Sequence, residues 1–125
     1  MRRAGQTDQT ASLARAVWRV LRRRTQLADP RITYKELALA LRDASDAFDW
    51  VTARSRPLYA ALDVVGAGCR RLGLPCLAAL VVRADSRRPG AAYFAGTASR
   101  GEQLAAWRAE VEAVRAARYP PAPPG

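Results

Sequence analysis

The sequence predicts a mostly α (α+β) fold, a winged helix-turn-helix with a short two-stranded wing and a C-terminal helix. Four segments carry apolar residues at helical spacing, and one short run between the third and fourth is rich in β-branched residues and bounded by turn formers. Their order completes the pattern: two helices, then a third that leads straight into a hairpin, as in the winged form of helix-turn-helix.

The polar residues 1–10 read as a disordered tail, 11–118 as a single winged-helix domain, and the Pro-rich 119–125 as a second tail, because proline cannot continue a helix. The first helix is expected from Ala11 to Leu27, with Leu13, Val17, Val20 and Leu21 on one face, ending at Asp29-Pro30. A second helix opens at Thr33 as N-cap, with Glu36 as its capping-box partner and Ile32 placed to staple against Leu37. The acidic and aromatic stretch from Asp43 to Thr52 reads as a loop or short turn facing away from any polyanion. The third helix begins near Ser55, tolerates Pro57 in its first turn, carries Leu58, Leu62, Val65 and Cys69 inward, and stops at Gly73. Leu77 to Val82 reads as a strand, Asp85 to Gly90 as a basic turn, and Ala91 to Phe94 as the returning strand. A last helix opens at Ser99, with Glu102 as a second capping-box partner, and runs to about Arg118 behind a stripe of Leu104, Trp107, Val111 and Val114.

With 125 residues the chain has room for one core. Its 21 basic against 11 acidic residues give a net charge of +10, which concentrates polyanions at the surface, and nucleic acid is the common one in a cell. All but one of the basic residues are arginine, Lys35 being the exception, and a guanidinium binds phosphate or a guanine edge bidentately. Two cysteines with no histidine make neither a disulfide scaffold nor a four-ligand zinc site, and no cofactor motif is present. Without a secretion signal or a membrane-length apolar run, the expected location is the cytoplasm.

Taking the third helix as the reader leaves Arg54, Arg56, Arg70 and Arg71 as the residues able to reach base edges or phosphates, with Asp63 a liability in the middle of the face. Arg87 and Arg88 sit at the expected wing tip, within reach of a minor groove or the flanking backbone. The Arg22-Arg23-Arg24 run suits a structural role, since it complements the negative end of a helix.

Four motifs in order carry a resemblance. Ile32-Thr33-Tyr34-Lys35-Glu36-Leu37-Ala38 resembles the Thr-Tyr-Gly-Glu-Ile-Ala motif of the DNA-binding domain of alkylguanine-DNA alkyltransferases and alkyltransferase-like proteins. Arg56-Pro57-Leu58-Tyr59-Ala60-Ala61-Leu62 is similar to their recognition helix, Leu74-Pro75-Cys76 to the segment before their reactive strand, and Gly90 to Gly96 to their wing. The resemblance implies a phosphate contact for Tyr34, a place in the recognition helix for Tyr59, and for Arg56 the role of entering the base stack behind an extruded nucleotide. The chain departs from the family where the chemistry lies: Cys76 is followed by Leu77 and Ala78 in place of His-Arg, there is no histidine relay, and Tyr59 replaces a glycine. Cys76 therefore reads as a buried small residue.

The expected function is a non-enzymatic DNA binder, as an accessory to repair, a regulator or a defence component, with DNA as partner and no membrane, metal or small-molecule cofactor. The alternative is a protein-interaction or effector module that docks a partner protein, with the Phe48–Trp50 loop as its contact. An enzyme would need a carboxylate in a cleft, and Glu36, Asp63 and Asp85 are the scattered candidates.

Overall fold

The computed structural model describes residues 2–89 and 99–124, with residues 2–8 described in their backbone only. Four helices and a small two-stranded sheet follow one another: α1 (Arg2–Arg24), β1 (Ile32–Thr33), α2 (Tyr34–Ala44), α3 (Arg56–Arg71), β2 (Val81–Val82) and α4 (Arg100–Ala116). Short 3-10 turns occupy Asp46–Phe48 and Leu77–Leu80.

The first helix reaches back to Arg2, beyond the expected start at Ala11, so residues 2–10, read as a disordered tail, continue the helix, and no proline interrupts the chain between them. It ends at Arg24, three residues short of Leu27, where successive i→i+3 bonds from Thr25, Gln26 and Leu27 tighten the chain into turns. The arginine run there has the structural role read for it in part: Arg24 donates to the carbonyls of Pro30 and Arg31, and Arg22 Nε to the Tyr119 carbonyl at 2.9 Å.

The start of α2 is as the sequence reads. Thr33 Oγ1 accepts from Glu36 N at 3.0 Å, and the Glu36 carboxylate accepts from Thr33 N at 2.9 Å. That backbone N–H, with Arg24 and Arg87 nearby, holds the Glu36 carboxyl below its ordinary range. Because the folded value is the lower one, the contribution stands at neutral pH and is lost on acidification through it. Thr33→Ala is expected to cost about 1 kcal/mol in urea unfolding at pH 7.

At the other end of α3, Gly73 adopts φ +67°, Gly73 N donates to Arg70 O and Leu74 N to Cys69 O, which is the paired bonding of a Schellman stop. Only the left-handed backbone that glycine tolerates closes it. The core lies between α1 and α3, with Leu13, Val17, Trp18 and Leu21 against Leu58, Leu62, Val65 and Cys69, and with Leu37, Leu41 and Phe48 closing one side. In the Asp43–Thr52 stretch Phe48 is therefore a core residue; Trp50 stays 37% exposed.

Two expectations are corrected. The Leu77–Val82 segment is a 3-10 turn followed by a two-residue strand, and its partner is β1, in parallel, with Ile32 opposite Val81 and Thr33 opposite Val82. The pairing stops where the Thr33 cap starts a helix, so a longer strand would have nothing to bond to. The proposed returning strand, Ala91 to Phe94, lies outside the described residues, as does the segment from Gly90 to Gly96 likened to a wing. The second correction concerns residues 119–124, which are not a loose tail. Tyr119 is buried, its ring meets Trp18 edge-on at 5.9 Å, its hydroxyl donates to Pro75 O at 2.6 Å, and Trp18 Nε1 donates to Pro120 O at 2.7 Å. The last helix ends at Ala116, two residues short of the expected Arg118 and ahead of the first proline, and the extended chain beyond it straps α1 to the end of α3.

On α4, Trp107 and Val114 are buried and Leu104 and Val111 half-buried, and Ser99 Oγ accepts from Glu102 N. None of the described helices is long and apolar enough to cross a membrane.

Candidate nucleic-acid interface

The turn into α3 is built from hydroxyls. Ser55 N donates to Thr52 O, Thr52 N to Ser55 Oγ at 2.9 Å, and Arg54 N to Thr52 Oγ1, which leaves the Arg54 side chain in solvent. Arg56, the first residue of α3, is also exposed. One turn on, Tyr59 donates its hydroxyl to Ala53 O at 2.9 Å, which pins the turn to the helix.

The Tyr59 ring lies against the Tyr34 ring, centroids 5.5 Å apart and tilted by 48°. Tyr34 is the first residue of α2 and packs on the core. The tyrosine pair thus joins the N-terminal ends of α2 and α3, the helix starts to which the exposed Lys35, Arg54 and Arg56 belong.

The sheet register adds a third segment. As Thr33 pairs with Val82, the chain leaves the sheet side by side at Tyr34 and Arg83. The turn that follows closes through Arg87 N to Arg83 O at 2.9 Å and Arg83 N to Arg88 O at 2.8 Å. Arg87 sits at φ +57°, a conformation that costs a non-glycine residue about 1–2 kcal/mol, so this turn keeps an arginine side chain where glycine would relieve the backbone. Its guanidinium reaches Asp29 at 3.4 Å, and Asp29 is also gripped by Arg31 at 2.9 Å. The Arg31 hydrogen bonds are the main reason that the Asp29 carboxyl is lowered to about 2. Asp29 is thus shared, and its exposed pair with Arg87 is worth little to stability, whereas Arg88 is half-buried and pairs with no carboxylate among the described residues.

Of the eight candidate residues, Tyr34 and Tyr59 are in contact and Arg54 and Arg56 belong to the same helix start as Tyr59, whereas Arg87 and Arg88 belong to the turn after β2, where Arg87 reaches Asp29. Arg70 and Arg71 stand at the far end of α3, roughly 20 Å along its axis at 1.5 Å per residue. Arg70 lies back over α3, its Nη1 3.8 Å from where a Cβ on Gly66 would be, and a Cβ there would be 3.6 Å from Cys76 Sγ. Between the two ends the outward face of α3 carries Ala60, Asp63, Val64 and the half-buried Ala67. Lys35 and Arg83 were not singled out from the sequence; the capping motif placed Lys35 beside Tyr34, but only the parallel register brings Arg83 there.

The thiols are held protonated. Burial raises Cys69 to about 11; Cys76, expected as a buried residue at a strand start, is half-buried ahead of a 3-10 turn, and burial raises its thiol as well. The Cys76 backbone N–H donates to Glu110 at 2.7 Å, and Cys69 Sγ accepts from Leu77 N at 3.5 Å. Of the scattered carboxylates, Glu36 is engaged in its cap and Asp85 is paired with Arg83. Compared with models of protein families, with curated proteins and with solved structures, the chain matches none.

Proposed function

We propose that the chain is a non-enzymatic DNA-binding module of winged-helix type. In this reading α3 enters the major groove from its N-terminal end, and the Arg83–Arg88 turn serves as the tip of the wing. The single observation that carries the proposal is the Tyr34–Tyr59 contact, which sets two helix N-termini beside Arg54, Arg56 and Lys35. Helix N-termini and arginines both favour phosphate, and tyrosine side chains are among those that contact the sugar-phosphate backbone of a duplex. The net charge of +10 supports the same partner. Tyr34 as a phosphate contact and Arg56 as the residue entering the stack extend the alkyltransferase-like resemblance, with no methyl transfer through Cys76.

Fluorescence anisotropy of a labelled random duplex, titrated with the full chain at several salt concentrations, tests the reading. Binding should weaken steeply with salt, losing about 10³-fold or more between 50 and 200 mM if six phosphates are engaged. A duplex with a bulky alkylguanine bound more tightly than its unmodified twin would extend the reading to lesion recognition. Absence of duplex binding at low salt would sink it.

A second reading rests on the middle of α3, where Asp63 and the 40%-exposed Val64 offer a duplex little. With the exposed edge of Trp50, they would suit a protein partner. A single stoichiometric protein recovered after nuclease treatment, from a chain that binds no duplex, would favour docking.

A further inference from the structure

α4 is locked onto the end of the sheet by a small core of its own. Trp107 is buried against Ala79 and Val82, its Nε1 donates to Ala79 O at 2.8 Å, and Leu104 and Val111 pack around it. The first turn of α4 is therefore held at a fixed place relative to Arg83, the residue that follows Val82. Between them lies a cavity of about 570 Å³, lined among the described residues by Arg83, Ser86, Arg88, Pro89, Arg100 and Gln103 and by one carboxylate, Asp85.

The charge in this cavity is unbalanced. Arg83 and Asp85 neutralise each other through two bonds, Nε to Oδ1 at 3.2 Å and Nη2 to Oδ2 at 2.9 Å. Arg88 and Arg100 have no carboxylate partner among the described residues. Glu102, the acid in the first turn of α4, is not among the lining residues. Two arginines with no carboxylate partner among the described residues thus line one cavity from two chain segments, with the positive end of a 17-residue helix behind one of them. Guanidiniums so placed match the oxygens of a phosphoryl group, which each can bind bidentately.

We infer that this cavity is a phosphate site, with Arg88 and Arg100 as its cationic jaws. The phosphoryl group is either a backbone phosphate of bound DNA, in which case the site extends the interface proposed above and rests on that reading, or part of a free phosphorylated small molecule. Arg100 is exposed and its removal from a helix N-terminus does not endanger the fold, so Arg100→Gln isolates the site. Arg42→Gln, an equal charge change on α2, is the control.

Both variants and the natural chain are titrated with duplex across a salt series, and separately with inorganic pyrophosphate by calorimetry at low salt. Backbone phosphate in the cavity predicts that Arg100→Gln weakens duplex binding about tenfold at 0.1 M salt and lowers the salt slope by about one, with Arg42→Gln near the natural chain. A free ligand predicts stoichiometric pyrophosphate binding that Arg100→Gln abolishes, with the duplex slope unchanged. Duplex binding that responds to Arg54 and Arg56 but not to Arg100, together with no pyrophosphate binding, overturns the phosphate site and leaves the DNA reading intact. If the natural chain binds no duplex, the pyrophosphate arm alone decides: loss in Arg100→Gln upholds the site, and no binding by the natural chain overturns it.

Discussion

Trp18→Ala is expected to lower stability by about 3–5 kcal/mol, the largest loss of any single substitution proposed for this chain. Trp18 is fully buried at the centre of the α1–α3 core. Its removal opens a cavity between two helices that cannot collapse, since Gly68 on the facing helix already lies so close that a Cβ there would be 3.4 Å from Trp18 Cζ3. The same ring holds the strap, through the edge-on contact with Tyr119 and the bond to Pro120 O. For a domain of ordinary stability, 5–15 kcal/mol, this loss is a third or more of the total. Urea unfolding at pH 7 measures it. Tyr119→Phe, which removes only the hydroxyl bond to Pro75 O, should cost about 1 kcal/mol on the same scale. A Trp18→Ala chain as stable as the natural one would mean that Trp18 is not packed in the α1–α3 core.

Neutralising Arg54, Arg56 and Arg88 together is expected to weaken duplex binding by about 10²–10³-fold at 0.1 M salt. Each lost phosphate contact removes about 0.9 from the slope of log K against log salt, and the three contacts act on the same quantity. None of the three makes an ion pair with a described residue, and Arg54 and Arg56 are exposed, so the unfolding midpoint should barely move. That separates loss of binding from loss of fold. Arg70→Ala with Arg71→Ala, at the other end of α3, should have the smaller effect, because a helix entering a groove by its N-terminus meets phosphate only peripherally at its C-terminus. Equal losses from the two sets would instead describe a helix lying flat along the groove. An unaltered salt slope in the triple variant would remove these arginines from the interface.

How far these features can be read from the sequence depends on how local their causes are. The start of α2 needed only Thr33 and Glu36, three residues apart, and the stop of α3 only Gly73; both are chemistry within one turn of chain. Arg54, Arg56 and Tyr59 share a short segment, so their grouping at the start of α3 is equally local. The strap escaped because Tyr119 and Pro120 read as the edge of a Pro-rich tail, and nothing near them in sequence announces Trp18 as their partner. The parallel pairing escaped for a related reason. Leu77 to Val82 is as apolar as a central strand, but the partner strand is cut to two residues by a cap that acts on the following helix. The arginine-lined cavity is the most remote of all, since Arg83 and Arg100 come to line one space only through the docking of α4 by Trp107.

The parallel pair also bears on the order in which the molecule assembles. A hairpin closes a few residues of chain, but joining Ile32 to Val81 closes a loop that contains all of α2 and α3. That closure carries an entropic cost which a four-residue sheet cannot offset by itself, so the two helices must already be docked for the strands to meet. The sheet is then a clasp that forms late and records that the rest is in place. Since Tyr34 and Arg83 leave it side by side, the segments that these two residues head become neighbours only through this long-range closure.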